Sequence, residues 1–307
     1  MAKAKIRKSS AASRARMTIL TIICFAVIAS LISIFLSSWM LKPKYYTIKL
    51  QNLSRSVRIV QLSDLYGHSF GKENDRLLTA VNILEPDIIA VTGDMFYEYA
   101  GRDQIDLVCK TLEKLNEIAP VYYTFGDQER SYIANGGEDV VKQIKDTGTK
   151  ILDYTYEDIK FEREIVGQSI RIGGAYGMFY KDNVTFGNEQ KFMQNFTKTN
   201  LPTILITHDG TGLLNYGNVK KWDVDVTLSG HTMGGIVRFP IAGGLFGING
   251  QFFSEYSKGM FTFEDEEGKT ATTSIVCAGL SSDRDIPMRF NNFPDLVCVD
   301  IERALES

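Results

Sequence analysis

Ser229-Gly230-His231-Thr232-Met233-Gly234-Gly235 closes a β-branched run, residues 223–229, and the switch there from strand-forming to ligand-type side chains decides the fold. Four earlier runs end in the same way. Val57-Arg58-Ile59-Val60-Gln61-Leu62 leads into Ser63-Asp64-Leu65-Tyr66, and Pro86-Asp87-Ile88-Ile89-Ala90-Val91 leads into Gly93-Asp94. Val121-Tyr122-Tyr123-Thr124 leads into Gly126-Asp127-Gln128-Glu129, and the run 203–207 leads into His208-Asp209. In α/β sheets functional side chains gather at the carboxyl ends of strands, where loops converge. A single Asp after a strand is usually a cap or turn residue. Five polar ends in sequence order carry a signal that none carries alone.

Working outward, helical patterns separate the early strands, over 74–84, 104–118 and near 138–145. Later strands read over 169–173, 203–207, 223–229, 258–263, 274–278 and 296–301. This alternation implies a mostly parallel sheet early in the chain and antiparallel strands late. The glycine-rich stretch 242–247 reads as one loop, and residues 42–55 read as a linker ahead of a single domain, 56–307.

Six cations and no acid occupy residues 1–16, and from Met17 to Leu41 the chain carries no charge. About 20 apolar residues span a bilayer, so this run suffices. A cleaved signal peptide would have a shorter apolar core and a small-residue cleavage site, for which Ser37-Ser38-Trp39-Met40 is poorly suited. The segment 17–41 therefore reads as a transmembrane signal anchor. The basic tail is expected to remain cytoplasmic and the domain to lie outside the membrane. Of 34 Lys and Arg residues, removing those six leaves 28 against 37 acids, a balance of −9, which argues against nucleic acid as a partner. The three cysteines beyond the anchor, Cys109, Cys277 and Cys298, do not describe a disulfide framework and read as buried free thiols.

The five strand ends together resemble the calcineurin-like metallophosphoesterase family over roughly residues 57–302. The tail, with Gly279-Leu280-Ser281-Ser282 and Met288-Arg289-Phe290-Asn291-Asn292-Phe293-Pro294, is similar to its membrane-anchored bacterial branch. The resemblance implies an αββα sandwich and two divalent cations about 3.5–4 Å apart that clamp a phosphate and activate a water. It implies Asp94 as the bridging ligand. One metal would take Asp64, residue 66, Asp94 and residue 233, and the other Asp94, residue 127, His208 and His231.

This chain has only three histidines, and it departs from the pattern at four positions. Tyr66 and Met233 stand where histidines are expected. A phenol with a pKa near 10 is a reluctant ligand, and a thioether is too soft for Mn²⁺ or Mg²⁺. The first site is thus expected to be empty. Asp127 replaces an asparagine but keeps a hard oxygen, so Asp94, Asp127, His208 and His231 remain as possible ligands for at most one Mn, Fe or Zn ion; the alternative is that they hold no metal and make ordinary hydrogen bonds. Gln128 replaces the histidine that the resemblance implies as proton donor or charge stabiliser, a role worth ~10²–10⁴ in rate.

His68, two residues past Tyr66, is a conceivable substitute ligand, though its glycine-flanked turn reads first as surface. Glu129 and Asp209 are lesser stand-ins. Arg284 and Arg289 could meet an anionic substrate or pair with nearby acids. Phe96, Tyr97 and Tyr99 could face lipid but read first as a packed loop. The leading functional expectation is a catalytically impaired member that binds a ligand or partner at the cell envelope. Its rival is an active phosphoesterase with a single-metal or rebuilt centre, acting on a phosphorylated lipid or cell-wall substrate. An envelope protein is a further candidate partner.

Overall fold

The computed structural model describes residues 11–51, 53, 55–161, 168–177, 187–215, 222–239, 243–247, 252–264, 270–282 and 288–304. Of the expected basic tail, residues 1–10 lie outside these. Alternation at the strand level determines the layers. In β2 (Val57–Leu62), Val57 and Ile59 face one core while Val60 and Leu62 face another. The same period of two separates Ile88 and Ala90 from Ile89 and Val91 in β3 (Ile88–Val91), and Tyr122 from its neighbours in β4 (Val121–Tyr123). A strand buried on both faces lies in the middle of a layered domain.

Among the described residues, two six-stranded sheets pack face to face. In the first, β1 (Lys42–Leu50) pairs parallel with β14 (Asp295–Arg303), which runs antiparallel to β2. The parallel strands β3, β4 and β5 (Lys150–Ile151) follow. The second sheet has the order β12 (Gly259–Glu264), β13 (Thr270–Val276), β9 (Val226–Ser229), β8 (Thr203–Asp209), β7 (Gln168–Gly177), β6 (Thr155–Phe161). Its central strands β13, β9, β8 and β7 are parallel, and its two edges are antiparallel. The late strands are therefore mixed rather than simply antiparallel, because β13 continues the parallel core before β12 turns back.

Helices cover both outer faces. On α3 (Arg102–Ile118), Ile105, Val108, Leu112 and Leu115 recur at helical spacing. With α2 (Asp75–Ile83) and α5 (Asp139–Asp146) they bury the outer face of the first sheet. Phe192, Met193 and Phe196 of α6 (Gly187–Phe196) cover the second, with Leu213 of the short α7 (Thr211–Asn215). This is the expected αββα sandwich.

Two expectations need correction. The presumed linker 42–55 is in its first nine residues the edge strand β1, hydrogen-bonded along its whole length to β14. Its exposed side chains, with only Ile48 buried, disguise it as a linker. The apolar helix α1 (Ala11–Trp39) ends two residues before Leu41. Pro43 disfavours helical geometry at Lys42, whose amide instead bonds the Pro294 carbonyl. The helix is long and apolar enough to cross a membrane. A further helix, α4 (Asp127–Ala134), begins inside the expected site motif.

If β1 is integral to the sandwich, Ile48→Ala lowers stability by about 2–4 kcal/mol, as expected for truncating a buried aliphatic side chain. Lys44→Ala, on the exposed face, stays within about 0.5 kcal/mol. Denaturant titration of the full chain in detergent measures both, and equal, negligible effects would restore the linker reading.

Candidate metal centre

The carboxyl ends of β2, β3, β4, β8 and β9 meet at one place, and backbone hydrogen bonds fix their spacing. The amides of Asp64, Tyr66 and Gly67 donate to the carbonyls of Gly93, Asp94 and Met95, so the first loop runs beside the second. On its other flank the Leu280 and Ser281 amides donate to the Ser63 and Asp64 carbonyls. Gly93, at φ 89°, and Gly126 sit back to back. A Cβ on Gly126 would lie 2.2 Å from Asp94 Oδ1, and one on Gly93 would lie 2.5 Å from the Gly126 nitrogen. Only glycines let these two loops approach so closely.

Glu129, the third residue of α4, locks the junction. Its fully buried carboxylate accepts hydrogen bonds from the Asp94, Met95 and Gly126 amides and from the Tyr123 hydroxyl, at 2.6–2.8 Å. Burial, with the Asp94 charge second, pushes this carboxyl up to about 7. Glu129 is thus a scaffold residue, not a stand-in ligand.

The donors converge on His208. Its Nδ1 lies 2.7 Å from the Thr92 carbonyl, which accepts the ring proton and leaves Nε2 facing the site. Nε2 then stands 3.3 Å from Asp94 Oδ2, 3.5 Å from Asp127 Oδ2 and 3.3 Å from His231 Nδ1. His231 Nδ1 is 3.0 Å from Asp127 Oδ2, and its amide donates to Asp64 Oδ2. Two groupings of potential ligands result, Asp127 with His208 and His231, and Asp64 with Asp94 and His208. The two groupings have His208 in common, because the Thr92 carbonyl aims its imidazole between the carboxylates, and Asp94, the expected bridge, stands in the second.

The electrostatics describe a cation seat. Burial lowers the His208 imidazole, but the Asp94 and Asp127 carboxylates outweigh it and raise it well above its ordinary value. His231 follows the same pattern, its burial outweighed chiefly by Asp127. Burial would raise Asp127, yet the two histidines overcome it and hold this carboxyl below the usual carboxylate range. Burial pushes Asp64 up to about 6, and its Oδ1, fully enclosed, accepts no hydrogen bond from the described residues. An unsatisfied buried carboxylate oxygen beside imidazole nitrogens fits a divalent ion such as Mn²⁺, Fe²⁺ or Zn²⁺.

The other expected residues fall elsewhere. Tyr66 is buried and its hydroxyl donates to Asp94 Oδ2 at 2.9 Å. Met233 packs with Tyr66 and Ile236 in a small apolar cluster bordered by Tyr97, Val237 and Phe246. Asp64, Tyr66, Asp94, His231 and Met233 all hold φ between 50° and 65°, a conformation costing about 1–3 kcal/mol at each. The Gln128 amide donates to Asp94 Oδ1 and its side-chain oxygen accepts from the Glu98 amide, so it pins the loop after Asp94. His68 belongs to neither grouping and packs between the rings of Trp39 and Phe70. Asp209 accepts from the Thr211 amide and hydroxyl, an ordinary turn role.

Arg289 is buried and donates to the carbonyls of Ala278, Gly279, Ser281 and Asn292, and among the described residues no acid forms an ion pair with it. Arg284 lies outside the described residues. Phe96 is buried in the core and Tyr99 is exposed. Sequence reading missed Tyr176, whose hydroxyl donates to Asp127 and whose ring stacks on His208. It also missed Thr92 and the structural role of Glu129.

A family model for calcineurin-like phosphoesterases matches residues 57–235. The metallophosphoesterase Cj0846 of Campylobacter jejuni is 28% identical over 199 residues, covering 64% of this chain and 49% of that protein. The chain thus spans about half the length of that relative. The metallophosphoesterase YkuE of Bacillus subtilis is 24% identical over 270 residues, covering 85% of this chain and 86% of the relative. The crystal structure of TT1561 of Thermus thermophilus superposes with a TM-score of 0.42 at 13% identity, over 73% of this chain and 89% of that one.

Glu129→Ala strips four donors of their shared acceptor and is expected to destabilise the chain by about 3 kcal/mol or more. Tyr123→Phe, which removes one of the four, is expected to cost about 1 kcal/mol. Urea titration ranks the two, and a harmless Glu129→Ala would mean the loops are held by other contacts.

Proposed function

The chain belongs to the calcineurin-like phosphoesterase family, and we propose that it is a membrane-anchored member that binds one divalent cation and a phosphorylated ligand but hydrolyses slowly. The observation that carries this reading is the Tyr66 hydroxyl on Asp94 Oδ2, with Met233 packed beside it. Both positions are those at which the family resemblance implies histidine ligands. The phenol instead occupies a lone pair of Asp94, and the thioether joins an apolar cluster.

Asp94, Asp127, His208 and His231 would hold the ion, which when bound polarises a phosphoryl oxygen and acidifies water. His208 is pre-set for this by the Thr92 carbonyl, and Asp127 is oriented by Tyr176. Gln128 can orient a phosphate oxygen by hydrogen bonding but cannot transfer a proton, so leaving-group protonation is expected to fall to water. The anchor α1 would keep this ligand-binding domain at the outer face of the cell envelope, where a phosphorylated lipid or an envelope protein is the candidate partner.

A second reading, an active enzyme with a rebuilt centre, is favoured by Asp64. Its Oδ1 is buried without a hydrogen-bond partner, and its backbone is strained beside Asp94. That oxygen could serve a second ion with ligands supplied by substrate.

Metal analysis of the full chain in detergent after Mn²⁺ loading and dialysis separates the two readings. One ion per chain, lost in His231→Ala, is expected. Two ions, with robust hydrolysis of bis(4-nitrophenyl) phosphate, would replace the impaired reading by the active one. The combined substitution Tyr66→His, Met233→His is expected to bind a second ion, and adding Gln128→His should raise hydrolysis a further ~10²-fold or more. Tyr176→Phe is expected to weaken metal binding about 10–100-fold by loosening Asp127.

A further inference from the structure

The end of α1 does not simply lead into the domain; it is bonded to it. Ser33 and Ser37, four residues apart and so on one helix face, accept hydrogen bonds from the consecutive amides of Asn291 and Asn292. Ser37 is fully buried at this contact, and Trp39 packs on His68. Other serines of α1, Ser30 and Ser38, bond back to carbonyls four residues earlier, the usual state of a hydroxyl in an apolar helix.

These bonds set the height of the domain relative to the helix. Arg14 and Arg16 mark the inner end of the uncharged stretch, and about 20 residues cross a hydrocarbon core of about 30 Å. The core therefore ends near Ser37, and Ser33 lies about 6 Å deeper at ~1.5 Å per residue. Asn291 and Asn292 consequently sit at the outer boundary of the hydrocarbon. Backbone amides at that depth need protein partners, which the two serines supply.

A small lobe hangs from this segment. The Asn291 side chain donates to the Arg238 carbonyl, the Arg238 amide donates to the Phe290 carbonyl, and Val237 bridges Phe290. The strand pair β10 (Arg238–Phe239) and β11 (Gly243–Gly244), with Phe246 bridging Phe252, completes it. The lobe exposes large apolar side chains next to that segment. Phe239 is 44% exposed, Phe252 66%, Phe253 57% and Met288 58%. After Met40 and Leu41, which follow Trp39, β1 opens with exposed Lys42, Lys44 and Tyr45. Aromatic and basic side chains together mark the headgroup layer.

We propose that this lobe rests in the headgroup layer of the bilayer that α1 crosses, with Phe239, Phe252, Phe253 and Met288 inserted among the lipids. The proposal rests on the reading of α1 as a membrane span. It also ties the metal centre to the membrane surface, because the Asn292 side chain donates to the carbonyls of Met233 and Ile236 in the loop that carries His231. One residue thus contacts both the membrane helix and the site loop, and the ligand best placed to reach the centre is a lipid headgroup phosphate.

Tryptophan quenching in reconstituted full-length protein tests this, because the chain has only Trp39 and Trp222. Vesicles of phosphatidylethanolamine and phosphatidylglycerol carry acyl chains brominated near the headgroup. Trp222→Phe reports Trp39 alone. Adding Phe253→Trp or Ile83→Trp to a chain with both native tryptophans replaced by Phe reports the lobe or the exposed end of α2. Quenching at 253 as deep as that at Trp39, with none at 83, is the expected result. Quenching at Trp39 without quenching at 253 overturns the lobe while leaving the span intact. No quenching at either site removes the membrane span, and the lobe proposal with it.

Discussion

The buried carboxylate of Glu129 is the contact on which the centre depends. It gathers three backbone amides from two different loops, and a phenol from β4, around one pair of oxygens. Without that acceptor, the ends of β3 and β4 would present unsatisfied donors in a dry interior. With it, the loops close until Gly126 touches Asp94. The position of Asp94 follows, and with it the reach of His208 and the alignment of Gln128. A metal centre needs several donors held within tenths of an ångström, and here a residue that need not touch metal sets that tolerance.

The two halves of the centre differ in kind. Around Asp127, His208 and His231, hard donors face one another with carboxylates and imidazoles in mutual attraction. Around Tyr66 and Met233, the same strained backbone presents an apolar cluster. Retention of left-handed φ at Tyr66, where a bulky side chain gains nothing from it locally, indicates that this loop's geometry is set by the ladder of bonds between 64–67 and 93–95. The backbone therefore tolerates exchange of the side chains it displays. Chemistry at this end of the sheets can change without the fold changing, which is why fold and activity must be argued separately.

Much of this was legible in the sequence, for a physical reason. Strands buried on both faces must be apolar runs, and their polar terminations stand out against them, so Asp64, Asp94, Asp127, His208 and His231 could all be found. What escaped depended on partners far along the chain. Glu129 bonds residues 34 and 35 positions earlier, and Tyr176 reaches Asp127 across 49. Neither has a local pattern. β1 escaped because Lys42, Pro43, Lys44 and Tyr45 open it with exposed side chains, and only its second half alternates, with Tyr46, Ile48 and Leu50 toward the core. The packing of His68 against Trp39 at the end of α1 likewise has no local signal.

The union of α1 with the segment 291–294 fixes how the apolar helix meets the domain. A flexible tether would only raise the local concentration of the domain near lipid, leaving its orientation free. Here β1 follows α1 after two residues and pairs at once with β14, while Ser33 and Ser37 grip the segment immediately before that strand. Helix and sheet are joined at two ends of one short stretch, which removes rotational freedom. The same stretch carries Asn292, whose side chain holds the Met233 carbonyl. The contact of α1 with the domain is therefore separated from the loop that carries His231 by a single residue, Asn292.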